Sequence, residues 1–184
     1  MRKLAVDFEQ IAMAMEDQDE FNSYYLDTHT GELVAIPSEY FSLEVFDEEG
    51  ISELSDWERE LIHIAQEIQE GSERYEPVPR VQPYEIYNLM VEFTETVSDR
   101  RLREKLDIAL DGKGAFGRFK RVLADYPQER ERWFAYKLAA MSEWIREWLN
   151  DLEIEPLPKK VGEWAVTAIA VGLNPFLEVG AQKK

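Results

Sequence analysis

Residues 24–36, Tyr24-Tyr25-Leu26-Asp27-Thr28-His29-Thr30-Gly31-Glu32-Leu33-Val34-Ala35-Ile36, decide the fold class of this chain. Two β-prone runs flank a loop rich in Asp, Thr and Gly, and Gly31 can take a positive φ without steric cost. The stretch predicts a β-hairpin over about residues 23–36, ended by Pro37. Beyond it, Tyr40 to Phe46 alternates Phe41, Leu43 and Val45 with Ser42 and Glu44, which suggests a third strand.

On both sides of the hairpin the apolar spacing turns helical. Asp7 to Met15 places Phe8, Ile11, Ala12 and Met15 on one face. Ser55-Asp56-Trp57-Glu58 reads as a capping box, opening a helix through Leu61, Ile64, Ala65 and Ile68 to Gly71. After a Pro-rich connector over residues 76–83, Pro83 starts a helix that buries Ile86, Leu89, Met90 and Phe93. Ser98-Asp99 begins the next, with Leu102, Leu106, Ala109 and Leu110, and Gly112 and Gly114 break it. A further helix carries Phe116, Phe119, Val122 and Leu123. Pro127 opens a long final one with Trp133, Ala140, Met141, Trp144 and Trp148 on one side. Phe116 and Trp144 are expected in the core.

The expected fold is α+β, predominantly α-helical, with an N-terminal β-hairpin packed on a bundle of about five helices. Residues 1–158 are expected to form a single α+β domain. Residues 159–184 read as a C-terminal apolar extension, packed on that domain or at a subunit contact, and Val161 to Val179 suits either strand or helix.

Composition narrows the class. The 184 residues are 45% hydrophobic and include 5 Trp, 8 Tyr and 9 Phe, enough for a core despite a formal net charge of −17. With 0 Cys, disulfides, thiol catalysis and thiolate metal sites are excluded. The basic start runs straight into Asp7 and Glu9 with no apolar region, and the apolar run from Trp164 to Leu173 is half a membrane span. A cytoplasmic protein without a membrane partner is expected. The charge is lopsided: residues 1–73 hold 20 Asp/Glu against Arg2, Lys3 and Arg59, and the rest of the chain is neutral. Long-range repulsion argues against direct nucleic-acid binding. The acidic part reads as a solubilising surface or as a docking face for a basic protein partner.

Several segments resemble an uncharacterised family of small bacterial proteins with no assigned activity. They are the Tyr25-Leu26-Asp27-x-x-x-Gly31-Glu32 hairpin, Met90-x-x-Phe93, and Leu106-x-x-Ala109-Leu110. They continue with Gly112-Lys113-Gly114-Ala115-Phe116-x-x-Phe119-Lys120-x-x-Leu123, Tyr126-Pro127, Trp133-x-x-Tyr136 and Trp148-Leu149. The resemblance covers roughly residues 6–157. It implies a fold and no chemistry.

Candidate chemistry is sparse. Glu60-Leu61-Ile62-His63 has the E-x-x-H spacing of di-iron bundles, but those need a second copy, and the other histidine, His29, lacks one. The Lys113 to Phe119 run echoes an RNA-binding strand motif, and Gly112-x-Gly114-x-x-Gly117 a dinucleotide fingerprint. Helical spacing and the lack of a preceding strand exclude both. The loop from Asp27 to Glu32 is too short for a calcium loop. No catalytic, cofactor-binding or metal residue is therefore expected, and no cofactor. The region from Arg100 to Arg132 runs against the trend, with ten Lys/Arg and six Asp/Glu. Lys113, Arg118 and Arg121 form a candidate binding surface there, with Arg118 and Arg121 expected to point to solvent. The leading reading is a non-enzymatic interaction or regulatory protein docking a basic partner through its acidic N-terminal part. The alternative is a hydrolase or nucleic-acid-processing enzyme with a carboxylate site assembled from separate helices. A homo-oligomer stays open.

Overall fold

A computed structural model describes residues 1–42 and 54–158. It is α+β and mostly helical, as expected. The described chain folds as two compact units, one of residues 1–7, 18–78 and 155–158, the other of residues 8–17 and 79–154.

The first unit is built on the hairpin. Strands β2 (Asn22–Asp27) and β3 (Leu33–Pro37) pair antiparallel with Tyr24 opposite Ala35 and Leu26 opposite Leu33. The short strand β4 (Tyr75–Pro77) adds to the other side of β2, and β1 (Arg2–Val6) pairs with β5 (Ile154–Pro158) in a separate two-stranded sheet. Three of these strands are not legible in the sequence. β4 lies in what reads as a Pro-rich connector, and β5 contains Pro156 and Pro158, residues that usually interrupt strands.

Period-2 alternation turns Val34 and Ile36 inward. There they meet Leu61, Ile62 and Ala65 of helix α2 (Asp56–Gln69), with Tyr40 and Tyr75 completing the cluster. The expected capping box of α2 is present: the Glu58 carboxylate accepts from the Ser55 amide at 2.8 Å and from its hydroxyl at 2.6 Å. The expected third strand is corrected at its start. Ser38–Phe41 forms one 3-10 turn that buries Tyr40, and the Ser42 amide closes it on the Glu39 carbonyl at 3.0 Å. The rest of that expected strand, and the C-terminal extension, lie outside the described residues.

The hairpin loop is held from inside. Asp27, only 4% exposed, accepts from the amides of His29 (2.8 Å) and Thr30 (3.3 Å), and its second oxygen takes Arg74 Nη2 at 2.7 Å and Nε at 3.1 Å. Burial alone would raise the Asp27 pKa. The Arg74 and amide hydrogen bonds outweigh it and hold the carboxyl below its ordinary value. Because the folded-state pKa is depressed, the stabilisation is present above the ordinary Asp titration near pH ~4 and is lost as pH falls below it. Asp27→Asn should thus cost about 2–3 kcal/mol at neutral pH. The gap to wild type should close in denaturation series run toward pH ~2.

The second unit contains five helices: α1 (Phe8–Glu16), α3 (Pro83–Glu95), α4 (Arg100–Leu110), α5 (Ala115–Ala124) and α6 (Pro127–Asp151). Phe93, Phe119 and Trp133 meet edge-on at its centre, with centroids 5.2–6.3 Å apart. The Arg132 guanidinium lies 4.5 Å over the Phe93 ring. α1 lies along α6, where Lys137 Nζ sits 2.6 and 2.8 Å from the two Glu16 oxygens.

Two expectations about this core are corrected. Phe116 is 38% exposed: Phe119 and Leu123 of the expected stripe are buried and Val122 is half-buried, but Ala115 takes the interior place that the sequence assigns to Phe116. On α6 the interior ridge is Trp133, Met141, Ile145 and Leu149, and Trp144 and Trp148 lie half-buried on its flank. Spacing of four residues carries that ridge, and Ile145 and Leu149, each one position beyond the expected Trp144 and Trp148, complete it.

Candidate functional site

The basic strip is where the structure gathers its candidate site residues. α4 and α5 are joined by Asp111-Gly112-Lys113-Gly114, with Gly112 and Gly114 at φ of 70° and 80°. Between the two helices runs an open groove of about 400 Å³. Its sides are Lys105, Ile108 and Ala109 of α4 and Arg118, Arg121, Val122 and Asp125 from α5 onward, with Tyr126 at one end. The floor is apolar and the rim carries three cations and one carboxylate.

Arg118 is not the free surface group that helical spacing suggests. It is half-buried, and its Nε donates to the Ala109 carbonyl at 3.0 Å. Its two terminal nitrogens reach the carbonyls of Lys113, Asp111 and Gly112. These are carbonyls at and beyond the C-terminus of α4, which lack intrahelical partners, and a cation there also suits the helix dipole. Arg118 therefore fastens the α4–α5 connection. Arg118→Met should lower stability by about 1–2 kcal/mol, measured by urea denaturation, because several carbonyls lose a charged donor at once.

Arg121 fits its expectation: it is exposed, with no hydrogen bond or ion pair among the described residues. Lys113 is exposed on the connecting loop and does not line the groove. Lys105, which the sequence does not single out, does line it. Its Nζ donates to the Tyr126 hydroxyl at 3.0 Å and stands 5.3 Å from that ring's centroid. No spacing rule links residues 105 and 126, so only the fold could reveal the pair.

The second candidate surface is acidic and belongs to the hairpin unit. Glu60, His63, Glu67 and Glu70 recur on one side of α2, opposite Leu61, Ile62 and Ala65. The E-x-x-H spacing falls on this stripe, with Glu60 and His63 both exposed. Residues 18–78 hold seventeen Asp/Glu and two Lys/Arg. Both cations are engaged within the unit, Arg59 with Asp56 and Arg74 with Asp27. Among the described residues, no group of three or more His, Asp and Glu is placed to hold a metal ion. Nor is any helix there long and apolar enough to cross a membrane.

A family model described as an uncharacterised protein family, UPF0158, matches residues 1–165. The chain belongs to this family. A UPF0158 protein of Pseudomonas aeruginosa is 26% identical over 160 residues, which are 87% of this chain and 91% of that protein. UPF0158 proteins of Chlamydia trachomatis and Chlamydia pneumoniae are 29% and 30% identical over 99 and 95 residues. Those segments are 53% and 51% of this chain and 30% and 29% of the chlamydial proteins. No solved structure matches the chain significantly. The resemblance read from the sequence thus names the right kind of family, and the UPF0158 match runs past residue 157 to residue 165.

In this UPF0158 protein the segments that carry the resemblance do structural work. Asp27 ties the hairpin loop to Arg74, Gly31 admits a neighbouring strand, and Phe119 fills the helical core.

Proposed function

We propose that this protein is a non-enzymatic interaction or regulatory module that docks a basic partner through its acidic N-terminal part. The observation that supports it most is the acidic stripe of α2, in a stretch whose two cations are already paired with carboxylates. A face with no cations to spare attracts a Lys- or Arg-rich surface over roughly a Debye length, about 8–10 Å at physiological salt. Rim charges of this kind act chiefly on association rate and partner choice. The reading extends to a cytoplasmic location, in keeping with a cysteine-free chain.

A carboxylate enzyme draws less support. The α4–α5 groove contains one acid, Asp125, where paired-acid chemistry needs two.

The test is affinity capture at two salt concentrations, using the wild type and a variant with Glu60→Gln, Glu67→Gln and Glu70→Gln. These side chains lie on the outward side of α2, so the variant should fold. The wild type should retain a basic partner at low salt and release it at high salt, and the variant should fail to retain it. Equal retention by both proteins would refute the proposal.

A further inference from the structure

The helical unit offers a surface of opposite sign, and its shape narrows what it can hold. Ile108 is 74% exposed at the edge of the α4–α5 groove, and Val122 is half-buried across from it. Arg121 is unpaired among the described residues, and Lys105 has donors left after its bond to Tyr126. We propose that this groove is a docking site for an acidic amphipathic segment of a partner protein. One apolar side chain of the segment rests between Ile108 and Val122, and flanking carboxylates meet Lys105 and Arg121.

Charge complementarity sets the sign of the occupant, since three cations and one carboxylate line the groove. The apolar floor between the cations calls for an amphipathic ligand over a bare anion. A free phosphate is poorly served: residues 115–117, which open α5, do not line the groove, and the Arg118 guanidinium is committed to backbone carbonyls. A nucleic-acid base is poorly served too, because Lys105 already stands over the Tyr126 ring that would stack on it. Arg118, fixed by its carbonyls, acts as a rigid wall of the groove. This inference concerns a different surface from the acidic stripe, and either can fail alone.

The probe is a fluorescein-labelled synthetic helical peptide with Leu at two positions four residues apart and Glu around them. Fluorescence anisotropy at low salt should show saturable binding that weakens as salt is raised. Ile108→Ser and Arg121→Glu should each weaken it about tenfold, roughly the effect of removing one apolar anchor or one close charge pair. Phe116→Ser, an exposed apolar position that does not line the groove, should leave binding unchanged. A peptide with both Leu changed to Ser should bind far more weakly. The inference is overturned if both groove variants bind like wild type, or if the Leu-less peptide binds equally well, which would mark an unspecific ionic contact. Displacement of the peptide by millimolar inorganic phosphate would assign the groove to a simple anion and also overturn it. Sedimentation showing a dimer that Ile108→Ser dissociates would do the same, by making the occupant a second copy of this chain.

Discussion

Phe119→Ala is expected to destabilise the protein by about 3–5 kcal/mol, and Phe116→Ala, three residues away, by about 1 kcal/mol or less. Phe119 is fully buried and packs edge-on against Phe93 and Trp133, so its removal leaves a cavity that three helices cannot close. Phe116 is 38% exposed, and much of its ring already faces solvent. Urea denaturation of the two variants side by side measures the difference. Equal losses would mean that α5 is rotated about its axis, with Phe116 turned into the core.

The second large effect is expected at Gly31. Its φ of +78° is a conformation that costs other residues about 1–2 kcal/mol. A Cβ at that position would also stand 2.4 Å from the Ala5 carbonyl oxygen, so β1 would have to move. Backbone cannot yield as a flexible side chain does, and Gly31→Ala should cost about 3–4 kcal/mol in all. Gly71→Ala separates the two contributions. Gly71 has φ of +85°, and a methyl group added there would meet nothing within 4 Å. It should lose only the conformational part, about 1 kcal/mol. Matching losses at the two glycines would show that β1 does not pass over the hairpin loop.

These residues also show where the sequence can be read and where it cannot. Asp27 and Gly31 announce a turn through local chemistry, and the hairpin, the α2 capping box and the buried faces of α3 and α4 follow from spacing within each segment. Arg74 is different. Its pairing with Asp27 spans 47 residues, and no local rule selects it over the other arginines. Phe116 is misplaced by spacing alone, because it lies at the edge of the arc that Phe119 and Leu123 define, and periodicity does not say whether Ala115 or Phe116 completes it. The groove is half legible. Arg118 and Arg121 stand out by charge, but Arg118 fastens the end of α4, and Lys105 joins the site only through the packing of α4 on α5. Short strands such as β4 depend on pairing partners far along the chain, and Pro-rich composition hides them further.

The central claim is that the acidic side of the hairpin unit is a docking face. Hydrogen exchange of the protein, alone and with the basic partner released from it by salt, tests this most directly. The claim predicts added protection concentrated in residues 22–37 and 56–70. Protection confined to residues 100–126, or none that accompanies binding, would contradict it.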